Sequence, residues 1–164
     1  MGLDTLIDAV DRVARNPRPF RVLIGGDGAL RSNLEQRVRD LRLEGTVKFL
    51  GRLSEKQIPL CYAAADCFVL PTRTLECFGL IVLESFATGT PVIAARVAAI
   101  PELAQVQGES WLFEPGNAAD LAARMEARLA GRLTCLADIR AFAERFDRPK
   151  ILEQWSGLLL SNQG

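Results

Sequence analysis

The sequence predicts an α/β domain: a Rossmann-like, doubly wound parallel sheet with C-terminal helices. Three observations predict it. Short runs such as "RVLIGG", "DCFVLP" and "PVIAA" are apolar almost throughout, as strands buried on both faces of a parallel sheet must be. Stretches of helical period, such as "LDTLIDAVDRVARN", lie between them. Strand and helix signals alternate along the chain, which covers both faces of the sheet with helices.

The elements follow in order. Residues 3–16 place Leu3, Leu6, Ile7, Val10 and Val13 at helical spacing. "RVLIGGDG" from Arg21 reads as a strand ending in glycines. Residues 29–43 read as a polar-faced helix whose buried stripe is Leu30, Leu34, Val38 and Leu41. "TVKFLG" from Thr46 is a strand, and residues 54–65 are a helix opened by Ser54 as N-cap. "DCFVLP", Asp66 to Pro71, is the next strand. A very apolar helix runs from about Gly79 to a C-cap at Gly89. "PVIAA" from Pro91 is a buried strand, followed by a short helix at Ile100–Gln105 and a strand at Ser110–Glu114. Asn117 caps a helix from Ala118 to about Leu129, and the tail is helical over 133–145 and 148–161. Residues 1–145 are therefore expected to form the domain, with 146–164 as a closing helix.

Composition narrows the function. The 164 residues suit one core, and 49% of them are hydrophobic. Twenty basic and twenty acidic residues cancel, which argues against a nucleic-acid footprint. No apolar run reaches the roughly 18 residues of a membrane span, and no secretory leader is recognisable. The spacing of Cys61, Cys67, Cys77 and Cys135 fits no zinc or redox motif, so they read as thiols of a reducing cytosol. The sequence has no histidine, which excludes a histidine base or ligand within this chain.

Ligands of such sheets bind at the carboxyl ends of the strands. The loops to inspect therefore follow Ile24, Leu50, Leu70 and Ala95. In "GGDGAL", Gly26 and Gly28 would let backbone N–H groups approach a phosphate or sugar, or would only make a tight turn; a full GxGxxG is absent, since Arg31 stands where the third glycine belongs. "PTRTLECFG" delivers Glu76 to the mouth of the sheet, as helix cap or as ligand group. The N–H groups of Phe78, Gly79 and Leu80 would be unpaired at the helix start and would suit a diphosphate. Glu84 lies among Ile81, Val82, Leu83 and Phe86. A carboxylate buried there needs a partner, either an arginine or a pair of adjacent hydroxyls such as a ribose offers.

From Glu76 to Glu84, "ECFGLIVLE" resembles the E-x7-E element of retaining glycosyltransferases of the GT-B fold, the "group 1" family. The resemblance continues through "SFATGTPVIA" and "IPEL", back through "GDGALRSNLE", "VKFLGRLS" and "YAAADCFVLPT", and on to "GESWLFEPGNAADLAARM", roughly residues 2–130. Such enzymes have two Rossmann-like domains, and this chain resembles the C-terminal, donor-binding one. The resemblance implies that Glu76 contacts the donor sugar as the catalytic-site carboxylate. It implies that Phe78, Gly79 and Leu80 offer N–H groups, that Glu84 holds the ribose, that Arg52 beside Gly51 borders the base, and that Gly26 and Gly28 line the diphosphate. No metal or other cofactor is implied, because cations and helix dipoles stabilise the departing diphosphate.

The same resemblance implies a nucleotide-sugar donor, an acceptor domain lying outside this chain, and a cytoplasmic protein whose full-length form could associate peripherally with the membrane. The chain departs from the family at three points. Family members carry a strand, an arginine and a lysine before "GLDTLIDA", where this chain starts with Met1, so the sheet is expected to be incomplete, swapped or rearranged. Arg73, Arg31 and Arg52 are the candidates to replace those cations. Ala98-Ala99 replaces a glycine pair before "IPE". The acceptor domain is absent, which would expose Trp155, Leu158, Leu159 and Leu160 of the closing helix and favour self-association. Two alternatives stand beside the donor domain: a degenerate nucleotide- or partner-binding module, and a sugar-nucleotide epimerase-like domain.

Overall fold

The computed structural model describes residues 2–16, 18–74 and 78–152. Its elements are α1 (Leu3–Val13), β1 (Val22–Gly25), α2 (Arg31–Asp40), β2 (Val47–Gly51), α3 (Gln57–Ala63), β3 (Phe68–Leu70), α4 (Leu80–Ala87), β4 (Val92–Ala95), α5 (Ile100–Ala104), β5 (Leu112–Phe113), α6 (Ala118–Leu129) and α7 (Ile139–Glu144). Every strand pairing is parallel; β4 is buried on both faces, as its apolar run predicts, whereas β1 is not, since Leu23 is 56% exposed.

β4 separates the two faces. Its four residues Val92, Ile93, Ala94 and Ala95 are fully buried and alternate in direction. Ile93 and Ala95 join the cluster built on α1 and α6, which includes Ile7, Val10, Trp111, Phe113 and Leu121. Val92 and Ala94 join the opposite cluster, with Val82, Phe86, Ile100 and Ile139.

The strands form two sheets rather than one, β1-β2 and β3-β4-β5. Ile24 and Val47 of the first sheet still pack into the same cluster as Ile93 and Phe113 of the second, so the two share a core. The start of α1 lies against the end of β3: a Cβ on Gly2 would collide with the Pro71 carbonyl, and Arg73 Nη2 pairs with Asp4 Oδ2 at 2.7 Å.

Several element ends differ from expectation for local reasons. Leu34 and Val38 of α2 are buried and the C-cap Leu41 packs half-buried against the same cluster, but the N-cap Leu30 is 63% exposed. Ser54 does not cap α3 directly. Its backbone N–H donates to Gln57 Oε1 at 2.9 Å while its carbonyl accepts from the Gln57 N–H at 2.9 Å, a reciprocal box that sets the helix start three residues later. β5 is shortened because Glu109–Trp111 takes a single 3₁₀ turn. Asn117 caps α6 as expected, its Oδ1 accepting from Ala119 and Asp120 at 3.1 and 3.0 Å. Asp138 starts α7 in the same way through the Ala141 N–H, later than the 133 expected. Trp155, Leu158, Leu159 and Leu160 lie outside the described residues. Among the described residues, no helix is long and apolar enough to cross a membrane.

Gln107 has a role that the sequence reading did not assign. β5 pairs with β4 only from Ala94 onward, which leaves the edge of Val92 without a strand. The buried Gln107 side chain replaces it. Its Oε1 accepts from the Val92 N–H at 2.7 Å, and its Nε2 donates to the Val92 carbonyl at 3.0 Å. Gln107→Leu would orphan both buried backbone groups, each costing about 1–3 kcal/mol. We expect urea unfolding to show a loss of roughly 2–6 kcal/mol, and Gln107→Glu, which removes only the donor, to lose stability as well.

Candidate functional site

Glycine turns join the loops at the carboxyl ends of β1 and β2. Gly26, at φ 114°, donates its N–H to the Gly51 carbonyl at 2.7 Å. Gly51 is itself in the left-handed region at φ 72°, and a Cβ there would approach Arg31 Nη1 to 3.2 Å. The Gly28 N–H donates to Asp27 Oδ1 at 2.9 Å and its carbonyl accepts from the Arg31 N–H at 3.0 Å. The tight-turn reading of "GGDGAL" is therefore realised. The space beside Gly26 and Gly28 is nevertheless open, since a Cβ at either would meet nothing within 4 Å. Arg52 is exposed next to this turn.

The second part of the site is the start of α4. Gly79 is its N-cap, in the left-handed conformation at φ 76°, ψ 38°. It is buried against Leu103, Ile100 and Val82. Its carbonyl accepts from the Val82 N–H at 2.8 Å. Gly79 also makes a further interaction. Phe78 and Leu80 on either side are exposed, and the Phe78 ring meets Phe146 edge-on at 6.1 Å. Glu76, expected in this loop, lies outside the described residues, as does Cys77.

Glu84 overturns the argument that singled it out. It is exposed, not buried. α4 packs through Val82, Leu83, Ser85 and Phe86, and Glu84 projects from the opposite side of the helix. No desolvation cost demands a partner there. Among the described residues its partner is no arginine but the Tyr62 hydroxyl, 3.4 Å from Glu84 Oε2. Burial, followed by the Glu84 charge and hydrogen bond, pushes the Tyr62 phenol up to about 12.

The cation candidates are partly committed. Arg73 bonds to Asp4 and to Thr5 Oγ1 at 2.7 Å. Arg31 holds Glu35 at 2.8 Å and Asp27 at 3.6 Å. Gly26, Gly28 and Arg52 lie on the loops after β1 and β2, while Phe78 and Gly79 precede α4 and Leu80 and Glu84 lie on it.

Parallel strands alternating with helices make the domain Rossmann-like. The chain belongs to the glycosyltransferases group 1 family, whose model matches residues 1–144. It is 37% identical over 122 residues to the D-inositol 3-phosphate glycosyltransferase of Corynebacterium efficiens, covering 71% of this chain and 28% of that protein. It is 29% identical to the sulfoquinovosyl transferase SQD2 of Arabidopsis thaliana, covering 82% of this chain and 26% of that one. The chain thus spans about a quarter of the length of these relatives. Among solved structures, Anabaena HepE in complex with UDP and glucose superposes with a TM-score of 0.83 at 29% identity, over 98% of this chain and 45% of that one. The C-terminal domain of a group 1 glycosyltransferase from Francisella tularensis shares the fold at TM-score 0.77 and 22% identity, covering 90% of this chain and 80% of that one. The fold is the Rossmann-like half of a GT-B glycosyltransferase.

The left-handed glycine gives a direct test of how the site is built. An L-residue in that conformation costs roughly 1–2 kcal/mol, so Gly79→Ala is expected to lose about that much stability in urea unfolding. Gly28→Ala, which enters open space, is expected to stay within about 0.5 kcal/mol of the wild type.

Proposed function

We propose that this chain is the donor-binding domain of a retaining glycosyltransferase that moves a sugar from a nucleoside diphosphate to a glycan, lipid-linked or small-molecule acceptor. The observation that carries the reading is Glu84. It is an exposed carboxylate on α4, one turn beyond the left-handed Gly79, in a chain whose fold matches a UDP-bound relative over nearly its whole length. A carboxylate with free acceptor sites suits two adjacent ribose hydroxyls. Gly26 and Gly28 leave the room a diphosphate needs, Arg52 borders the base, and Phe78 and Leu80 flank the phosphate at the helix start. Glu76 is the residue proposed to touch the transferred sugar.

No metal is required in this reading, because the dipole of α4 and nearby cations supply the positive field. The acceptor is proposed to bind on a second domain. Transfer needs both reactants held together, so the domain alone is expected to bind donor without turnover. Family membership disfavours the epimerase alternative. The degenerate-module alternative draws support from the commitment of Arg73 and Arg31 to other partners, and it predicts no Glu84-dependent nucleotide binding.

Calorimetric titration with UDP, GDP and ADP separates the two. Binding of one nucleotide with a Kd near 1 mM or tighter, about 4 kcal/mol or more, is expected, and Glu84→Ala should abolish it while leaving the unfolding midpoint nearly unchanged. Equal binding by Glu84→Ala, or no binding of any nucleotide, would contradict the proposal.

A further inference from the structure

Tyr62 is the only tyrosine in the sequence, and the structure holds it from two directions. Its ring packs edge-on against Phe68 of β3, with centroids 5.1 Å apart at 79°. Its carbonyl accepts from the Thr90 hydroxyl at 2.7 Å, just past the end of α4. Thr90 is fixed in turn by the buried Ser85, whose hydroxyl donates to the Thr90 carbonyl at 2.8 Å. The same turn therefore secures the backbone of α3 and the end of α4. With ring and backbone both fixed, the phenol is aimed at Glu84 Oε2, one helical turn back along α4.

An exposed glutamate on a helix samples several rotamers. One that accepts from a fixed phenol does not. The 3.4 Å separation is long for an O–H···O bond, and such bonds commonly tighten when the site is filled. A carboxylate has acceptor sites to spare, so a bond to Oε2 leaves Oε1 open.

We propose that Tyr62 is a positioning residue for Glu84: its hydroxyl holds one carboxylate oxygen and presents the other to the vicinal hydroxyls of a nucleotide ribose. The inference rests on the donor-site reading of Glu84. Tyr62 does not itself touch the ligand. Removing its hydroxyl should therefore be felt only by ligands that use Glu84.

Two measurements test this. The first needs no ligand. The single tyrosinate absorbance at 295 nm is read after a rapid jump to alkaline pH, before the chain unfolds. Glu84→Gln should lower the midpoint from about 12 toward the ordinary value, without reaching it, because burial remains and the neighbouring Cys61 also acts on the phenol. An unchanged midpoint overturns the pairing. The second measurement is titration with UDP and with 2′,3′-dideoxy-UDP. Tyr62→Phe keeps the ring on Phe68, so it preserves packing. It should weaken UDP by roughly 3- to 10-fold, the worth of one hydrogen bond, and leave the dideoxy compound unaffected. In a Glu84→Gln background, Tyr62→Phe should add almost nothing.

If UDP binds and Glu84→Gln weakens it but Tyr62→Phe does not, the positioning role is overturned while the donor-site reading stands. Equal losses for both nucleotides would make Tyr62 merely structural and also overturn the role. If UDP fails to bind the wild type, the donor-site reading falls and the positioning role falls with it.

Discussion

The architecture depends on β4. Four consecutive residues, each fully buried, must supply apolar groups to two faces at once. Only a strand can do this, because successive side chains point in opposite directions. Ile93 and Ala95 commit one face to α1 and α6, and Val92 and Ala94 commit the other to α4, α5 and α7. β3 and β5 are held on its flanks by parallel hydrogen bonds. Where β5 falls short, Gln107 completes the ladder from a side chain. The directions of β3 and α4, and with them the site, follow from this one strand.

The site then needs few residues. A parallel sheet brings its loops to one end, and two of those loops are tied together by the bond between Gly26 and Gly51. The left-handed Gly79 starts α4, on which Glu84 is exposed while Phe86 and Val82 turn into the core. Nothing in this arrangement forces Glu84 to be an acid. An exposed carboxylate costs the fold little, so the fold itself gives no reason for an acid at this position.

Much of the fold was legible in the sequence because its strands are continuous apolar runs and its turns carry strong signals. Asn117 and Gly89 stand where capping chemistry places them. The misreadings have physical causes. Leu30 looks like part of the α2 stripe, but it precedes the first helical residue and so escapes the core. Glu84 looks buried because its sequence neighbours are apolar, yet on a helix those neighbours point elsewhere. Linear spacing cannot show that α3 and α4 bring Tyr62 to Glu84, since the two helices are separated by β3 and meet through tertiary contacts such as the Thr90 bond to the Tyr62 carbonyl. Gln107 was equally invisible: its partner is a backbone edge, which leaves no mark on composition. The break between the two sheets left no mark in the local pattern, which reads as one parallel sheet.

The central claim is that the ligand end of this sheet, and not another surface, receives a nucleotide. Mapping amide chemical-shift changes on addition of UDP tests it most directly. The account predicts that the largest changes fall on Gly26, Gly51, Arg52, Leu80 and Glu84, at the carboxyl ends of the strands and along α4. Changes confined to the opposite end of the sheet, around Asn16, Phe20 and Thr46, or no change at all, would contradict it.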